Sequence, residues 1–261
     1  MIIHKYVYPH RTRLYTLTAF GDFHLGHTGC DKKKLEKDIK WIARQRNMGV
    51  FIMGDLLDIC IPYISPERFY YYNEVDPELN TFEKAYDYLV WLLRPIEDKI
   101  VGIHAGNHDF QWIQKSQYNY VKNLAKTLNA TYLDFEAITK LVIGKKTSTS
   151  FDIYSVHGAY TGRKIGGKIN RLTDIASAFI ADIYIMGHVH ELGGWRTVKY
   201  GLDPYGKLIE KKQAYVFSGT YFKSHIPETS SYAERRQYPP NKIGLITIEI
   251  YPRERDIHVK E

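Results

Sequence analysis

The stretch IYIMGHVHE, residues 183–191, joins an apolar run to a glycine and to two histidines separated by one residue. The run before Gly187 has the length and apolar character of a buried β-strand. Alternation along a half-buried strand could place His188 and His190 by chance, so the pair alone is weak evidence of a site. The question is whether other strands of the chain end in the same way.

Four other apolar runs also end in polar residues beside a glycine. They are predicted strands at 14–20, 49–54, 99–106 and 151–158, and the polar residues at their ends are Asp22, His24, Asp55, Asp58, Asn107, His108, Asp109 and His157. Because ligands of open α/β sheets bind at the carboxyl ends of the strands, we expect these side chains to converge. Mixed carboxylate, imidazole and amide ligands favour manganese, iron, zinc or nickel over calcium and magnesium.

Helical patterns lie between the predicted strands. Residues 31–46 place Leu35, Ile39 and Ile42 on one helical face, and Asn80 with Glu83 predicts a capping box for a helix that runs to about Leu93. Further apolar residues at helical spacing are Val121, Leu124, Ala125 and Leu128. Two more strands are predicted at 181–187 and 213–219, and strict alternation over 242–252 predicts an antiparallel one. Strands that alternate with helices predict an α/β fold.

Length and charge limit the kind of protein. A chain of 261 residues is long enough for a conventional core, and without a linker-like segment we expect one domain over residues 1–261. The formal net charge of +7 favours an anionic partner such as a nucleotide or nucleic acid, with solubility as the alternative explanation. Cys30 and Cys60 are the only cysteines, which favours a reducing, intracellular setting.

The sequence predicts a soluble protein without a membrane partner. Residues 1–13 have no apolar region or cleavage signature of a signal peptide, and the longest apolar run, YLVWLL at 88–93, is far too short to span a bilayer. We therefore expect a cytoplasmic location. The oligomeric state stays open.

The order of the motifs is similar to that of one enzyme superfamily. DFH at 22–24, GDLLD at 54–58, GNHD at 106–109, HG at 157–158 and GHVH at 187–190 together resemble the calcineurin-like metallophosphoesterase superfamily. The resemblance implies a four-layer α/β/β/α sandwich in which helices flank two mixed β-sheets. It also implies a centre of two divalent metal ions at the strand ends, for which we expect manganese, with iron, zinc or nickel as alternatives.

The resemblance also implies which residues hold each metal ion. Asp22, His24 and His190 would hold one ion, Asp55 would bridge the two, and the other ion would be held by Asn107, His157 and His188. Two such ions share a hydroxide, which attacks phosphorus in line, and they polarise the phosphoryl oxygens. In this family the histidine of the GNHD motif stabilises the transition state or protonates the leaving oxygen. His108 would have that role, oriented by Asp109, while Asp58 would support a ligand or the loop.

Departures from particular subfamilies narrow the substrate. Ser/Thr protein phosphatases usually have Arg-Gly after G-D-x-x-D, where this chain has Ile59 and Cys60, and Glu in the third motif, where it has Asp109. These two departures disfavour a protein phosphatase without excluding it. DFHLG and GNHD look like double-strand-break repair exonucleases, which normally carry an additional DNA-capping domain. Only 71 residues (261 − 190) follow His190, so we expect at most a stripped-down relative of them. Lipid-A pathway pyrophosphatases usually carry Arg at the position of His108, which argues against a pyrophosphatase of that pathway.

Two segments are candidate substrate contacts. Residues 158–171 form a predicted basic, glycine-rich loop that could bind phosphates or could be a solvated linker, with charges at Arg163, Lys164, Lys168 and Arg171. The tyrosines of 67–74 could stack on bases, or could serve packing or an interface. We expect a phosphodiesterase of nucleotide or nucleic-acid substrates. The alternatives are a phosphomonoesterase of the protein-phosphatase kind and a non-catalytic scaffold that keeps the fold.

Overall fold

The computed structural model describes residues 1–58, 75–145, 147–160, 162–225, 234 and 237–260. Within these ranges the strands are β1 (Ile2–Tyr8), β2 (Tyr15–Phe20), β3 (Met48–Ile52), β4 (Ile100–His104), β5 (Tyr132–Asp134), β6 (Glu136–Ile143), β7 (Thr149–Val156), β8 (Ile183–Met186), β9 (Leu192–Leu202), β10 (Leu208–Ser218), β11 (Ile246–Tyr251) and β12 (Asp256–Lys260). The α-helices are α1 (Lys32–Arg44), α2 (Phe82–Leu93), α3 (Asn107–Ser116), α4 (Tyr120–Thr127) and α5 (Ile165–Ala178), and a 3₁₀ helix spans Arg94–Lys99.

The strands form two mixed sheets of six strands each. One sheet has the order β1-β6-β7-β8-β10-β9 and the other β12-β11-β2-β3-β4-β5. In the first sheet β7, β8 and β10 are parallel, and in the second β2, β3, β4 and β5 are parallel. The predicted C-terminal strand is confirmed as β11, which pairs antiparallel with β2.

The two sheets pack face to face and helices cover both outer faces. Apolar side chains such as Leu17 and Phe51 of the second sheet meet Leu141 and Ile185 of the first in one buried cluster. A second cluster packs the other face of the β2-β3-β4 region against α1, α2 and α4, and a third packs α5 on the first sheet. The predicted four-layer α/β/β/α sandwich is confirmed.

Local sequence explains where the helices begin. Asp31 caps α1 by accepting a hydrogen bond from Lys34 N at 3.0 Å, and Leu35, Ile39 and Ile42 are buried as their spacing predicts. The prediction that Asn80 caps α2 is wrong by one residue. Thr81 has extended backbone and its hydroxyl accepts from Lys84 N at 3.3 Å. No helix in the described part of the chain combines the length and apolar character needed to cross a membrane.

A polar contact between His104 and Ser155 joins the two sheets inside the sandwich. His104 at the end of β4 is fully buried, with Nε2 2.8 Å from Ser155 Oγ on β7 and Nδ1 3.0 Å from the carbonyl oxygen of Asp134. Burial lowers the pKa of His104 to about 3. This ring therefore stays neutral in the folded protein over a range where an unfolded chain takes up a proton.

This difference predicts how stability depends on pH. The unfolded state binds the His104 proton below about pH 6.5 and the folded state does not until about pH 3, so stability falls as pH drops through this window. Through His104, the free energy of unfolding should fall by about 1.4 kcal/mol between pH 7.5 and 5.5, and His104→Gln should lack this part of the fall. Urea unfolding at both pH values with chelator present measures this loss, with the exposed His10→Gln as control. An unchanged pH slope for His104→Gln would contradict the assignment.

Candidate metal centre

Seven predicted ligands converge where the parallel strands of both sheets end. Asp22 and His24 follow β2, Asp55 follows β3, Asn107 begins α3 after β4, His157 follows β7, and His188 and His190 follow β8. Five of these residues have positive φ, a conformation that is uncommon for residues other than glycine: Asp22, His24, Asp55, His188 and His190. Backbone strain of this kind is found preferentially at functional sites.

A first cluster consists of Asp22, His24 and His190, whose ligand atoms all lie within 4.8 Å of one another. His24 Nε2 is 3.3 Å from His190 Nε2, and Asp22 Oδ1 is 3.2 Å from the same nitrogen. His24 Nδ1 lies 3.4 Å from Asp58 Oδ2, a contact that leaves Nε2 with its lone pair toward the cluster.

A second cluster contains Asp55, His157 and His188, again with ligand atoms within 4.8 Å. His157 Nδ1 is 2.6 Å from the carbonyl oxygen of Met53, so Nε2 faces the cluster and lies 3.4 Å from Asp55 Oδ2. One terminal atom of the Asn107 amide lies 3.2 Å from His157 Nε2 and 2.8 Å from His188 Nδ1. Each cluster therefore combines carboxylate and imidazole groups, and the second adds an amide.

The donor sets of both clusters fit divalent cations. Among the described residues none donates a hydrogen bond of good geometry to Asp22 Oδ1, although this oxygen is fully buried. One terminal atom of the Asn107 amide faces the rings of both His157 and His188, where an amide oxygen can bind a cation. A buried acceptor without a donor is costly, and a bound metal ion removes that cost.

The pKa values of Asp55, His188 and His157 differ from their ordinary values, and these shifts decide which groups can bind a cation without losing a proton. Burial tends to raise the pKa of Asp55, but the rings of His157 and His108 outweigh it and hold that pKa below its ordinary value. Burial and the charge of His157 lower the pKa of His188 to about 4. Burial disfavours a charged His157, yet the carboxylates of Asp55 and Asp22 raise its pKa to about 10. A metal ion that binds here displaces the His157 proton.

Glycine is required where two of the strand ends touch. A Cβ at Gly106 would lie 2.0 Å from Asp55 Oδ1. A Cβ at Gly54, whose φ is +90°, would lie 2.5 Å from Gly106 N. The GDLLD and GNHD turns can pack directly against each other only because both positions lack a side chain.

His108 pairs with a different carboxylate from the one predicted. Its Nδ1 lies 3.2 Å from Asp58 Oδ1, and its backbone N donates to Asp55 Oδ1 at 2.8 Å. Asp58 also contacts His24 through its other oxygen, so it joins a predicted metal ligand to His108. The predicted His108–Asp109 pair is wrong, because adjacent residues in the first turn of α3 point in different directions.

Asp109 instead joins the GDLLD turn to the GNHD turn through hydrogen bonds to the backbone of both. It is fully buried and accepts from Gly106 N at 2.7 Å, from Leu56 N at 2.9 Å and from the Tyr120 hydroxyl. Burial and the charge of Asp55 raise the pKa of Asp109, while the hydrogen bonds oppose that rise. Its carboxylate thus fixes the backbone that carries Asp55 and Asn107.

The predicted basic loop is helical over most of its second half. Helix α5 begins at Ile165, so only the part up to Lys164 precedes the helix, and Arg163 and Lys164 are exposed there. Arg163 lies over the Tyr238 ring at 5.3 Å from its centroid, and Arg171 is exposed on α5. Lys168, predicted as a substrate-binding residue of the loop, lies in α5, where it is buried and bonded to protein acceptors.

Two further features were outside the reach of the sequence motifs. Phe222 packs against His24 at 5.0 Å and His190 at 6.0 Å between ring centroids, and no motif predicts it. Phe222 follows β10, which ends at Ser218 and is the sixth strand whose end reaches this edge. That position is the sequence signal that could have indicated Phe222. The tyrosine-rich segment 67–74 lies outside the described residues.

Comparison with known sequences gives a family match and a relative. The family described as calcineurin-like phosphoesterase matches residues 15–192. The Gene 54 protein of Mycobacterium phage D29 is 25% identical over 207 residues, which are 72% of this chain and 78% of that protein.

Comparison with solved structures gives weak overall superpositions with long coverage. A single mutant of Vps29 from Entamoeba histolytica has a TM-score of 0.42 at 14% identity, covering 94% of this chain and 97% of that one. Haemophilus influenzae NAD nucleotidase has a TM-score of 0.40 at 11% identity, covering 95% and 49%. Pseudomonas putida nuclease MPE has a TM-score of 0.36 at 10% identity, covering 94% and 87%.

The contacts of Asp109 predict a structural role that can be measured. Asp109→Asn replaces one acceptor oxygen with a donor that opposes the backbone N–H groups, so we expect a loss of about 2–3 kcal/mol in the free energy of unfolding. Urea unfolding measures it. Asp174→Asn on the exposed face of α5 is the control and should stay within about 0.5 kcal/mol of wild type. Equal stability of Asp109→Asn and wild type would contradict this role.

Proposed function

This chain belongs to the calcineurin-like phosphoesterase family, and we propose that it is a metal-dependent phosphodiesterase that acts on nucleotide or nucleic-acid substrates. The observation that carries the proposal is the pair of ligand clusters beside His108 and Asp58. A scaffold without activity would not need an intact donor set together with a partly buried imidazole–carboxylate pair.

In this proposal the predicted ligands divide between two divalent cations. Asp22, His24 and His190 would hold one ion, Asn107, His157 and His188 would hold the other, and Asp55 would help to hold both. When bound, two such ions polarise phosphoryl oxygens and lower the pKa of a water molecule. Manganese suits the mixed oxygen and nitrogen donors, as do iron, zinc and nickel.

The residues around the metal ligands have separate tasks. His108 donates a proton to the leaving oxygen, and Asp58 Oδ1, 3.2 Å from its Nδ1, sets the tautomer that leaves Nε2 for that transfer. Asp109 positions the backbone of the turns by accepting from Leu56 N and Gly106 N. Within the described residues, each of these groups has a contact that fits its task.

Positive charge supports an anionic, extended substrate. The formal net charge is +7, and Arg163 and Lys164 are exposed just before α5, in the segment that follows His157. Lys168, near the start of α5, bonds to Val189 O and Glu191 on either side of His190, so this end of the helix lies beside the metal centre. We propose that Arg163 and Lys164, with Arg171 one to two turns further on, contact substrate phosphates.

A pair of chromogenic substrates tests the proposal. With Mn²⁺ present, we expect kcat/KM for bis-p-nitrophenyl phosphate to exceed that for p-nitrophenyl phosphate about tenfold or more, equivalent to about 1.4 kcal/mol. A preference for the monoester would support a phosphomonoesterase instead. Absence of activity on both substrates across manganese, iron, zinc and nickel would support a scaffold.

Substitution of the proton donor tests the mechanism in the same assay. We expect His108→Ala to lower kcat about 10²- to 10⁴-fold, because the leaving oxygen loses its acid. Asp58→Asn should lower kcat in the same direction and to a smaller extent. The exposed His10→Ala is the control. Activity of His108→Ala equal to wild type would contradict the proton-donor role.

A further inference from the structure

The turn that carries His188 and His190 is held in an unusual conformation. His188 has a φ of +64° and His190 a φ of +52°, and between them Val189 N donates to Gly187 O at 2.7 Å. Left-handed backbone costs free energy at each residue other than glycine. Contacts from outside the turn must therefore hold it in place.

Lys168 of α5 supplies two polar contacts of this turn, beside the hydrogen bond that His188 N donates to Asp22 Oδ2 at 3.1 Å. Its Nζ donates to the carbonyl oxygen of Val189 at 3.0 Å and to Glu191 Oε1 at 2.6 Å. The Lys168 side chain is 10% exposed and that of Glu191 31%. The ammonium group thus caps the one carbonyl that lies between the two histidines and neutralises the carboxylate that follows them.

The same helix supplies the apolar contacts. The Val189 side chain is buried in one cluster with Leu172 and Ala176 of α5. Lys168 and Leu172 are one helical turn apart and therefore lie on the same face of α5. Both ends of Val189, its side chain and its carbonyl oxygen, are anchored to that face.

The contacts of Lys168 leave little room for a role in substrate binding. Two of its three N–H donors are bonded to protein acceptors, and the residue is 8% exposed. Breaking this partly buried ion pair to reach a phosphate would leave the Glu191 carboxylate without its cation. Arg163 and Lys164, which are exposed one turn earlier, are better placed for phosphate.

We propose that Lys168 is a positioning residue, which fixes the spacing of His188 and His190 through its bonds to Val189 and Glu191. The proposal rests on the proposed function, in which these two histidines bind different metal ions. Loss of Lys168 would then weaken both ions together, whereas loss of either histidine would weaken mainly one.

Metal titration of the folded protein tests this role. We expect Lys168→Met to weaken both Mn²⁺ binding events about 10- to 100-fold in isothermal titration calorimetry, the range typical of residues that support metal ligands. Lys168→Arg, which keeps the charge and the donors, should recover most of the affinity. Lys140→Met, which breaks the exposed Lys140–Asp152 ion pair, is the matched control and should bind Mn²⁺ as wild type does.

Activity at saturating Mn²⁺ separates positioning from substrate binding. We expect Lys168→Met to keep the wild-type KM for bis-p-nitrophenyl phosphate under that condition. A raised KM with unchanged metal affinity would make Lys168 a substrate ligand and would overturn the proposal. Unchanged KM and unchanged metal affinity would overturn it as well.

Two controls keep the test decisive. If Lys168→Met does not fold, Glu191→Gln, which removes only the ion pair, should weaken Mn²⁺ binding in the same direction by a smaller factor. Wild-type affinity in that variant would overturn the proposal. If the wild-type protein itself takes up no divalent metal, the proposed function fails and this inference fails with it. Metal uptake by wild type with no effect of Lys168 refutes this inference alone.

Discussion

Two fully buried carboxylates, Asp22 and Asp55, set the main physical constraint on this molecule. They lie where the parallel strands of both sheets end, and a charge in a protein interior must be compensated. Imidazole rings from both sheets supply part of that compensation, and the donor set leaves the rest to cations. The positive-φ turns, the glycine-to-glycine contact at Gly54 and Gly106, and the bonds of Asp109 all serve to bring these groups together.

Much of this arrangement is readable from the sequence, for a definite reason. A short apolar run that ends in glycine and a polar residue predicts a strand, and it also predicts that the polar residue lies at the carboxyl end of that strand. The predicted strands and the α/β fold class follow from such runs, whereas the four-layer sandwich was expected only from the family resemblance. The convergence of Asp22, Asp55, His157 and His188 follows as well, because the carboxyl ends of parallel strands share one edge. The resemblance to calcineurin-like phosphoesterases added the division into two clusters.

What the sequence did not reveal depends on contacts between distant residues. The partner of His108 is Asp58, 50 positions earlier in the chain, while its neighbour Asp109 bonds to backbone and to Tyr120. The helical start at Ile165 was missed because Gly166 and Gly167 disfavour helix locally, and packing of α5 on the sheet overrides that preference. Strand β9 was missed because most of its side chains are exposed or half-buried and so give no apolar run.

We propose that this site holds two divalent ions that share Asp55. Anomalous diffraction from crystals of the wild-type protein grown with Mn²⁺ is the sharpest test. We expect two anomalous peaks about 3.5–4 Å apart, the usual spacing of two-metal sites. One peak should lie among Asp22, His24 and His190, and the other among Asn107, His157 and His188, with Asp55 between them. A single peak, or none at these residues with Mn²⁺ in excess, would contradict a two-ion site.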